Sequence, residues 1–233
     1  MTLFELARVY RPIGEPLPAE PLELAILLAG PRVDHVGEAG AYDFYDGKGA
    51  LESIAGAALG APLEAAHDAG LDADAPYLHP RRRARLLVGG APVGVLGEVH
   101  PDVTDELGLD ARAVYGVLDV DALLAASAAR GLPQARPLPR FPAVSRDVAF
   151  VVRDAVAAGA VEGVVREAGG ALVEAVELFD VYRGAGIEPG HKSLAYRVVY
   201  RDPDATLTDK IVDNAHAQVV RALRERLGAA LRE

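Results

Sequence analysis

The chain has no cysteine, no tryptophan and a single methionine, and only 6% of its 233 residues are aromatic. Without cysteine there is no disulfide framework, no thiolate nucleophile and no thiolate zinc site, a composition that fits a reducing compartment, the cytoplasm by default. No apolar run approaches the ~20 residues that a membrane-spanning helix requires, and the N-terminus lacks the basic and apolar regions of a signal peptide. Positive charge is also scarce. Lys and Arg number 24 against 34 Asp and Glu, a formal charge of −10, which argues against a general nucleic-acid binder. The deficit is uneven: residues 1–136 hold 11 basic against 20 acidic side chains, and residues 137–233 hold 13 against 14. Only the second part can present a basic face at low electrostatic cost.

What is abundant is apolar. A chain of this length that is 51% hydrophobic and 25% charged can bury the core of one large or two modest domains. The clearest boundary is the segment at 131–140, where Pro133, Pro137 and Pro139 hold the backbone extended and end the Ala-rich helix before it. The expected organisation is a module at 1–130, a Pro-rich linker at 131–140 and a second domain at 141–233.

In the first part, Leu51, Ile54, Ala55, Ala58 and Leu59 recur at helical spacing, which predicts an amphipathic helix over 48–59. Strands are expected at 22–28, 84–88, 93–99 and 114–120, the middle two joined as a hairpin by Gly89-Gly90-Ala91-Pro92. Pro101 suits a first helical position and Asp121 a cap. Together these give an α+β module with an antiparallel or mixed sheet. The second part reads strand 147–152, helix 155–168, strand 172–182, strand 193–201, helix 210–227 and a short last strand at 229–233. Ile211, Ala215, Val219, Ala222 and Leu223 are expected on the buried side of the last helix. This βαββαβ order is the ferredoxin-like split unit, an antiparallel sheet with both helices on one face and the other face open.

Several motifs in order then carry a resemblance. Phe141–Val152, Leu178-Phe179-Asp180-Val181-Tyr182-Arg183-Gly184, Gly190-His191-Lys192-Ser193-Leu194-Ala195-Tyr196-Arg197 and Thr206-Leu207-Thr208-Asp209 resemble the ferredoxin-fold anticodon-binding domain that ends the phenylalanyl-tRNA synthetase beta chain. The first part, through Phe4-Glu5-Leu6, the Tyr42–Gly49 segment, Leu78-His79-Pro80 and the Gly94–Pro101 segment, resembles the module just upstream in that chain. In the family this module is shaped like a class II synthetase catalytic core without its chemistry. The residues agree: no Arg precedes Glu5 to clamp a phosphate in a bidentate fork, and the Val114–Asp121 segment carries two carboxylates, Asp119 and Asp121, that repel a triphosphate.

The resemblance implies a C-terminal fragment that is not catalytic by itself. It implies an alpha2-beta2 enzyme in which the catalytic alpha chain, using ATP and Mg, charges tRNA(Phe). It places the anticodon-reading positions at Phe141, Asp180, Tyr182, Ser193 and Arg232. Tyr182 is expected to stack on a base, Asp180 and Ser193 to read base edges, and Arg232 to bind base or phosphate. Splayed single-stranded bases call for aromatic rings, edge donors and acceptors, and cations; Arg183, Lys192, Tyr196 and Arg201 supply further groups of those types. On strand alternation alone, Asp180 and Tyr182 share a face.

Other candidates have structural readings. Gly90, Gly94 and Gly97 form no phosphate loop, because no Lys-Ser or Lys-Thr follows and no helix begins there. His79 and His100 each precede a proline and read as hydrogen-bonding residues, with no metal site expected. Asp43, Asp46 and Lys48 read as a helix start. Arg81-Arg82-Arg83 with Arg85 serves equally as a contact to the alpha chain or tRNA backbone, or as a solvated turn. Arg146 and Asp147 read as ion-pairing residues. Lys210 and Ile211 depart from the family's acidic pair and remove the Glu of a capping box after Thr208. A rival from another class is a metabolite-binding or scaffolding protein that uses the open sheet, since fold does not fix function.

Overall fold

The computed structural model describes residues 1–32, 40–60, 62–130 and 138–232. The chain forms two compact units, divided between Gln134 and Ala135. The Pro-rich linker expected at 131–140 lies, from 131 to 137, outside the described residues.

The first unit contains β1 (Thr2–Arg8), β2 (Leu22–Ala29), α1 (Phe44–Leu59), β3 (Glu64–Ala66), α2 (Leu71–Asp74), β4 (Leu78–Val88), β5 (Ala91–Val99), α3 (Pro101–Glu106), β6 (Ala113–Asp119) and α4 (Val120–Arg130). Its six strands run β1-β2-β6-β5-β4-β3, and every pairing is antiparallel. The sheet is therefore not mixed. Leu51 and Ala55 of α1 and Leu123 of α4 pack on Ile26, Leu28, Leu86, Val93, Leu96, Val114 and Leu118 on one face. A Cβ on Gly47 would lie 2.6 Å from Val114 Cγ1, and one on Gly116 would lie 2.7 Å from Leu51 Cδ1. Two glycines thus let α1 approach the sheet closely.

The helix begins at Phe44, four residues before the expected start at 48. Asp43 accepts from the Tyr45 and Asp46 amides while Asp46 returns a bond to the Asp43 amide, closing a reciprocal cap. The side chains of Ala58 and Leu59, expected on that stripe, lie outside the described residues. Gly89 and Gly90, both at positive φ, turn β4 into β5. Strand β4 starts at Leu78, earlier than its apolar run suggests, because its pairing with β5 is interrupted between Leu78 and Arg83 and then resumes. Strand β1, exposed almost throughout, gives no alternation signal in the sequence.

The second unit follows the expected order: β7 (Val144–Arg153), α5 (Ala158–Gly169), β8 (Val173–Tyr182), β9 (His191–Tyr200), α6 (Asp209–Leu227) and β10 (Ala230–Leu231). The strand order is β10-β7-β9-β8, antiparallel throughout. Phe150, Val152, Leu194, Tyr196, Val198 and Tyr200 point to one side, where Val161, Val164 and Val165 of α5 and Val212, Val219 and Leu223 of α6 complete the core. Ile211 is 43% exposed and Val212 is buried instead. Packing selects the 212-215-219-223 stripe over the one that includes Ile211, since the two alternatives differ by one residue of helix rotation. Thr208 caps α6 without a side-chain hydrogen bond, in keeping with the missing acidic partner.

Candidate nucleic-acid interface

Because side chains alternate along a strand, the residues opposite those of the core build the uncovered face of the second sheet. Register puts Tyr182 of β8 beside Ser193 of β9, and Ser193 beside Val151 of β7. The next row on the same face is Asp180, Ala195 and Ala149. After β10, the Arg232 amide donates to the Ala149 carbonyl at 2.9 Å, which sets its side chain out on this face. Over the low floor of Ala149, Ala195 and Ser193, the Arg232 guanidinium reaches the Tyr182 ring, with Cζ 5.0 Å from the centroid. A cation over an aromatic face is attracted by the ring quadrupole, about 0.5–1 kcal/mol at an exposed site.

Tyr182 is held in turn. Its hydroxyl donates to the Ala185 carbonyl at 3.2 Å, and Gly184 lies so close that an added Cβ would sit 2.8 Å from that hydroxyl. Asp180 is exposed, whereas Ser193, between Val151 and Tyr182, is 2% exposed. Asp180, Tyr182, Ser193 and Arg232 are therefore assembled at one end of the open face.

The remaining expected residues are not brought there. Phe141 precedes the end of β7 that pairs with Tyr200, and at ~3.4 Å per residue that end lies roughly 25 Å along the ladder from Ser193. Its carbonyl accepts from Arg201 Nη1 at 2.5 Å, and Arg201 Nε also binds Glu174 at 2.9 Å. Tyr196 belongs to the opposite side of the sheet. It is buried, its hydroxyl donates to the Ala158 carbonyl at 2.9 Å, and desolvation pushes its pKa far above the ordinary tyrosine value. Lys192 is buried too, with Nζ donating to the Asp154 carbonyl at 2.9 Å. Burial, aided by the Arg183 charge, lowers its pKa. Arg183 is exposed in the loop after β8 and lies 3.3 Å from Asp154.

Two residues on the open face have no counterpart among the expected ones: Phe179 and Arg197, whose guanidinium lies 5.6 Å from the Phe179 centroid. Alternation would send Phe179 to the helix side, and only the irregularity in β8 between Leu178 and Asp180 returns it to this face. Nothing in the sequence announces that bulge.

In the first unit three arginines of the basic run, Arg82, Arg83 and Arg85, are held in ion pairs. Arg82 lies 2.5 Å from the buried Glu98, Arg83 is buried against Asp72, and Arg85 binds Asp68 at 2.8 Å and Asp74 at 2.6 Å. His79 Nδ1 accepts from the Arg81 amide and His100 Nδ1 from the Asp102 amide at the start of α3. Lys48 pairs with Glu52. Asp119 accepts from the Ala122 amide at 2.9 Å and Asp121 from the Leu22 amide at 3.1 Å. Across the sheet from α1, a groove of about 470 Å³ is lined by Arg11, Glu23, Tyr77, Arg85, Tyr115 and Asp119 among others. Arg11 is already bound to Glu23 there.

Comparison with known proteins assigns both units. Residues 139–232 match the ferredoxin-fold anticodon binding domain, and residues 1–120 match the phenylalanyl tRNA synthetase beta chain CLM domain. The chain belongs to the phenylalanyl-tRNA synthetase beta-chain family. It is 47% identical over 237 residues to the phenylalanine--tRNA ligase beta subunit of Moorella thermoacetica, covering 100% of this chain and 28% of the relative. For the subunit of the same name from Symbiobacterium thermophilum the figures are 46%, 100% and 25%. For that of Anaeromyxobacter dehalogenans they are 48%, 99% and 28%. The chain thus spans about a quarter of the length of these synthetase beta subunits. A metabolite-binding or scaffolding role for the open sheet is not favoured by these matches.

Proposed function

We propose that this chain is the C-terminal part of a phenylalanine-tRNA ligase beta subunit, and that residues 141–233 bind the anticodon region of tRNA(Phe). The observation that carries this reading is the convergence of Tyr182, Asp180, Ser193 and Arg232 on one end of an uncovered sheet face. A base arriving on the face of Tyr182 that now holds Arg232 displaces the guanidinium, which is then placed to contact the base or a neighbouring phosphate. The Ser193 hydroxyl, opposite Tyr182 in the register, and the Asp180 carboxylate are the donor and acceptors that this reading assigns to a base edge. Ring stacking of this kind is worth about 1–3 kcal/mol per base.

Residues 1–130 act in this proposal as an inert module, shaped like a class II catalytic core, that assembles with the catalytic alpha chain in an alpha2-beta2 enzyme in the cytoplasm. ATP and Mg serve the complete enzyme. In this module's groove both arginines, Arg11 and Arg85, are held by carboxylates, an arrangement that does not fit a triphosphate. The contribution of this chain is recognition and positioning, with no bond made or broken on its residues.

The test is a low-salt titration with tRNA carrying the Phe anticodon, against the same tRNA with the anticodon replaced. Preference for the native anticodon, lost in Tyr182→Ala, is expected. Equal affinity for both reduces the domain to a nonspecific RNA contact. With 13 basic against 14 acidic residues at 137–233, a shallow dependence of log affinity on log salt is also expected, because few phosphates are neutralised.

A further inference from the structure

The uncovered face of the second sheet carries two aromatic–guanidinium pairs, of which the proposed anticodon site uses one. The second is Phe179 with Arg197. In β8, Leu178 lies opposite Tyr196 and Asp180 opposite Ala195, so Phe179 is an extra residue in the strand. A bulge of this kind re-aims a side chain. The Phe179 ring comes to the open face, where Arg197 Cζ lies 5.6 Å from its centroid, and the residue remains 51% exposed. Arg197 is fixed by a two-pronged bond to Asp147, Nε to Oδ1 at 2.9 Å and Nη2 to Oδ2 at 2.8 Å. A ring backed by an immobilised guanidinium, three residues along β8 from Tyr182, sits about 10 Å from the first stacking site.

The charges around the ring decide what can occupy it. Asp147 and Glu177 flank Arg197 from β7 and β8, so two carboxylates face one guanidinium and the patch repels a phosphate. A nucleotide is admitted with its base against the ring and its phosphate turned to solvent, an orientation in which the neighbouring carboxylates can accept from amino groups of the base. A protein partner would require a broader apolar surface, whereas the open-face neighbours on the central strands are Ala149 and Ala195.

We infer that Phe179, backed by Arg197, is a second stacking platform that holds the nucleotide next to the one on Tyr182, so that two neighbouring unstacked bases are gripped. The inference rests on the anticodon reading above and extends it to specific additional residues.

The experiment uses the 233-residue chain and anticodon stem-loops carrying 2-aminopurine, or an abasic nucleotide, at one loop position at a time. With the unaltered chain, quenching on binding is expected at two neighbouring positions. Tyr182→Ala is expected to abolish it at one and Phe179→Ala at the other, with affinity falling roughly 5- to 150-fold in each case. Removing the base at the Phe179 position is expected to erase the difference between the unaltered chain and Phe179→Ala. Phe179→Leu, which keeps an apolar side chain, should give the same loss of quenching at an unchanged thermal midpoint. If Tyr182→Ala weakens binding while Phe179→Ala changes neither affinity nor quenching, the second platform is overturned and the anticodon reading stands. If Phe179→Ala weakens every abasic loop equally, the ring supports the fold and the platform is likewise overturned. Absence of any binding, or binding indifferent to Tyr182, overturns both.

Discussion

On the side of the first sheet away from α1, Arg11 ends on Glu23, Arg83 on Asp72 and Arg85 on Asp68 and Asp74. On the uncovered side of the second, Arg232 lies over the Tyr182 ring, and Arg197, although bound to Asp147, also lies over the ring of Phe179. The difference is clearest between Arg85, held by two carboxylates, and Arg232, whose contact is an aromatic ring. A guanidinium matched to carboxylates has spent its donors and its charge within the chain. A guanidinium stacked on a ring leaves a flat, polarisable surface on which a base can replace or join it. Composition reports the excess of acid in the first unit but not where each arginine ends.

Substitutions in each unit test this division. The largest effect is expected from Leu118→Ala, which empties a fully buried site in the first core and should lower the stability of that unit by about 2–5 kcal/mol in urea unfolding. Anticodon preference measured well below the transition should survive it; its loss would end the separation of roles. Next comes Tyr182→Ala, at about 1–3 kcal/mol of RNA affinity, while Tyr182→Phe should bind nearly as well because the hydroxyl is already engaged by Ala185. A large loss in the Phe variant would move recognition from the ring to the hydroxyl.

Asp43→Ala is expected to cost about 1 kcal/mol of unfolding free energy by removing the acceptor for two amides at the start of α1, with no change in RNA binding. Gly163→Ala, in the middle of α5 where an added Cβ meets nothing within 4 Å, should raise stability by roughly 0.5–1 kcal/mol. A decrease would reveal a contact on that helix face.

The pH dependence of the second unit should be one-sided. Burial pulls the His216 pKa below its ordinary 6.5, with Arg146 adding to the fall and Asp213 opposing it, and its Nδ1 lies 3.0 Å from the Tyr200 hydroxyl. The unfolded chain therefore binds the proton more readily. Stability contributed by neutral His216 is present above the unfolded pKa and declines as pH falls below about 6.5. Thermal midpoints taken from pH 7.5 downward should show this decline, and His216→Phe should flatten it; an identical slope in the variant would assign the acid sensitivity elsewhere.

Much of the second fold was legible because its strands alternate with a period of two and its helices near 3.6, as in Asp147–Val152 and Lys210–Leu227. Where two helical stripes competed, at Ile211 and Val212, the choice belonged to packing. Strand β1 was illegible because both its faces are exposed, and β3, three residues long, carries too little pattern to read. Within the site, alternation joined Asp180 to Tyr182, and the family motifs named Ser193 and Arg232. Phe141, Lys192, Tyr196 and Arg201 bear the residue types that RNA recognition uses, yet the first and last lie at the far end of the ladder and the middle two are buried.

The sequence alone determined the order of elements in the second unit, the uneven charge, the Asp43 cap and the glycine turn at Gly89-Gly90, since each depends on neighbours within a few residues. The tertiary structure alone decided that Ser193 lies beside Tyr182, that Arg232 crosses the sheet to stack on that ring, and that a bulge turns Phe179 to the same face. Those arrangements depend on strand order and register, which bring residues 11 and 50 positions apart into contact through hydrogen bonds that every backbone can make, so no residue type encodes them locally.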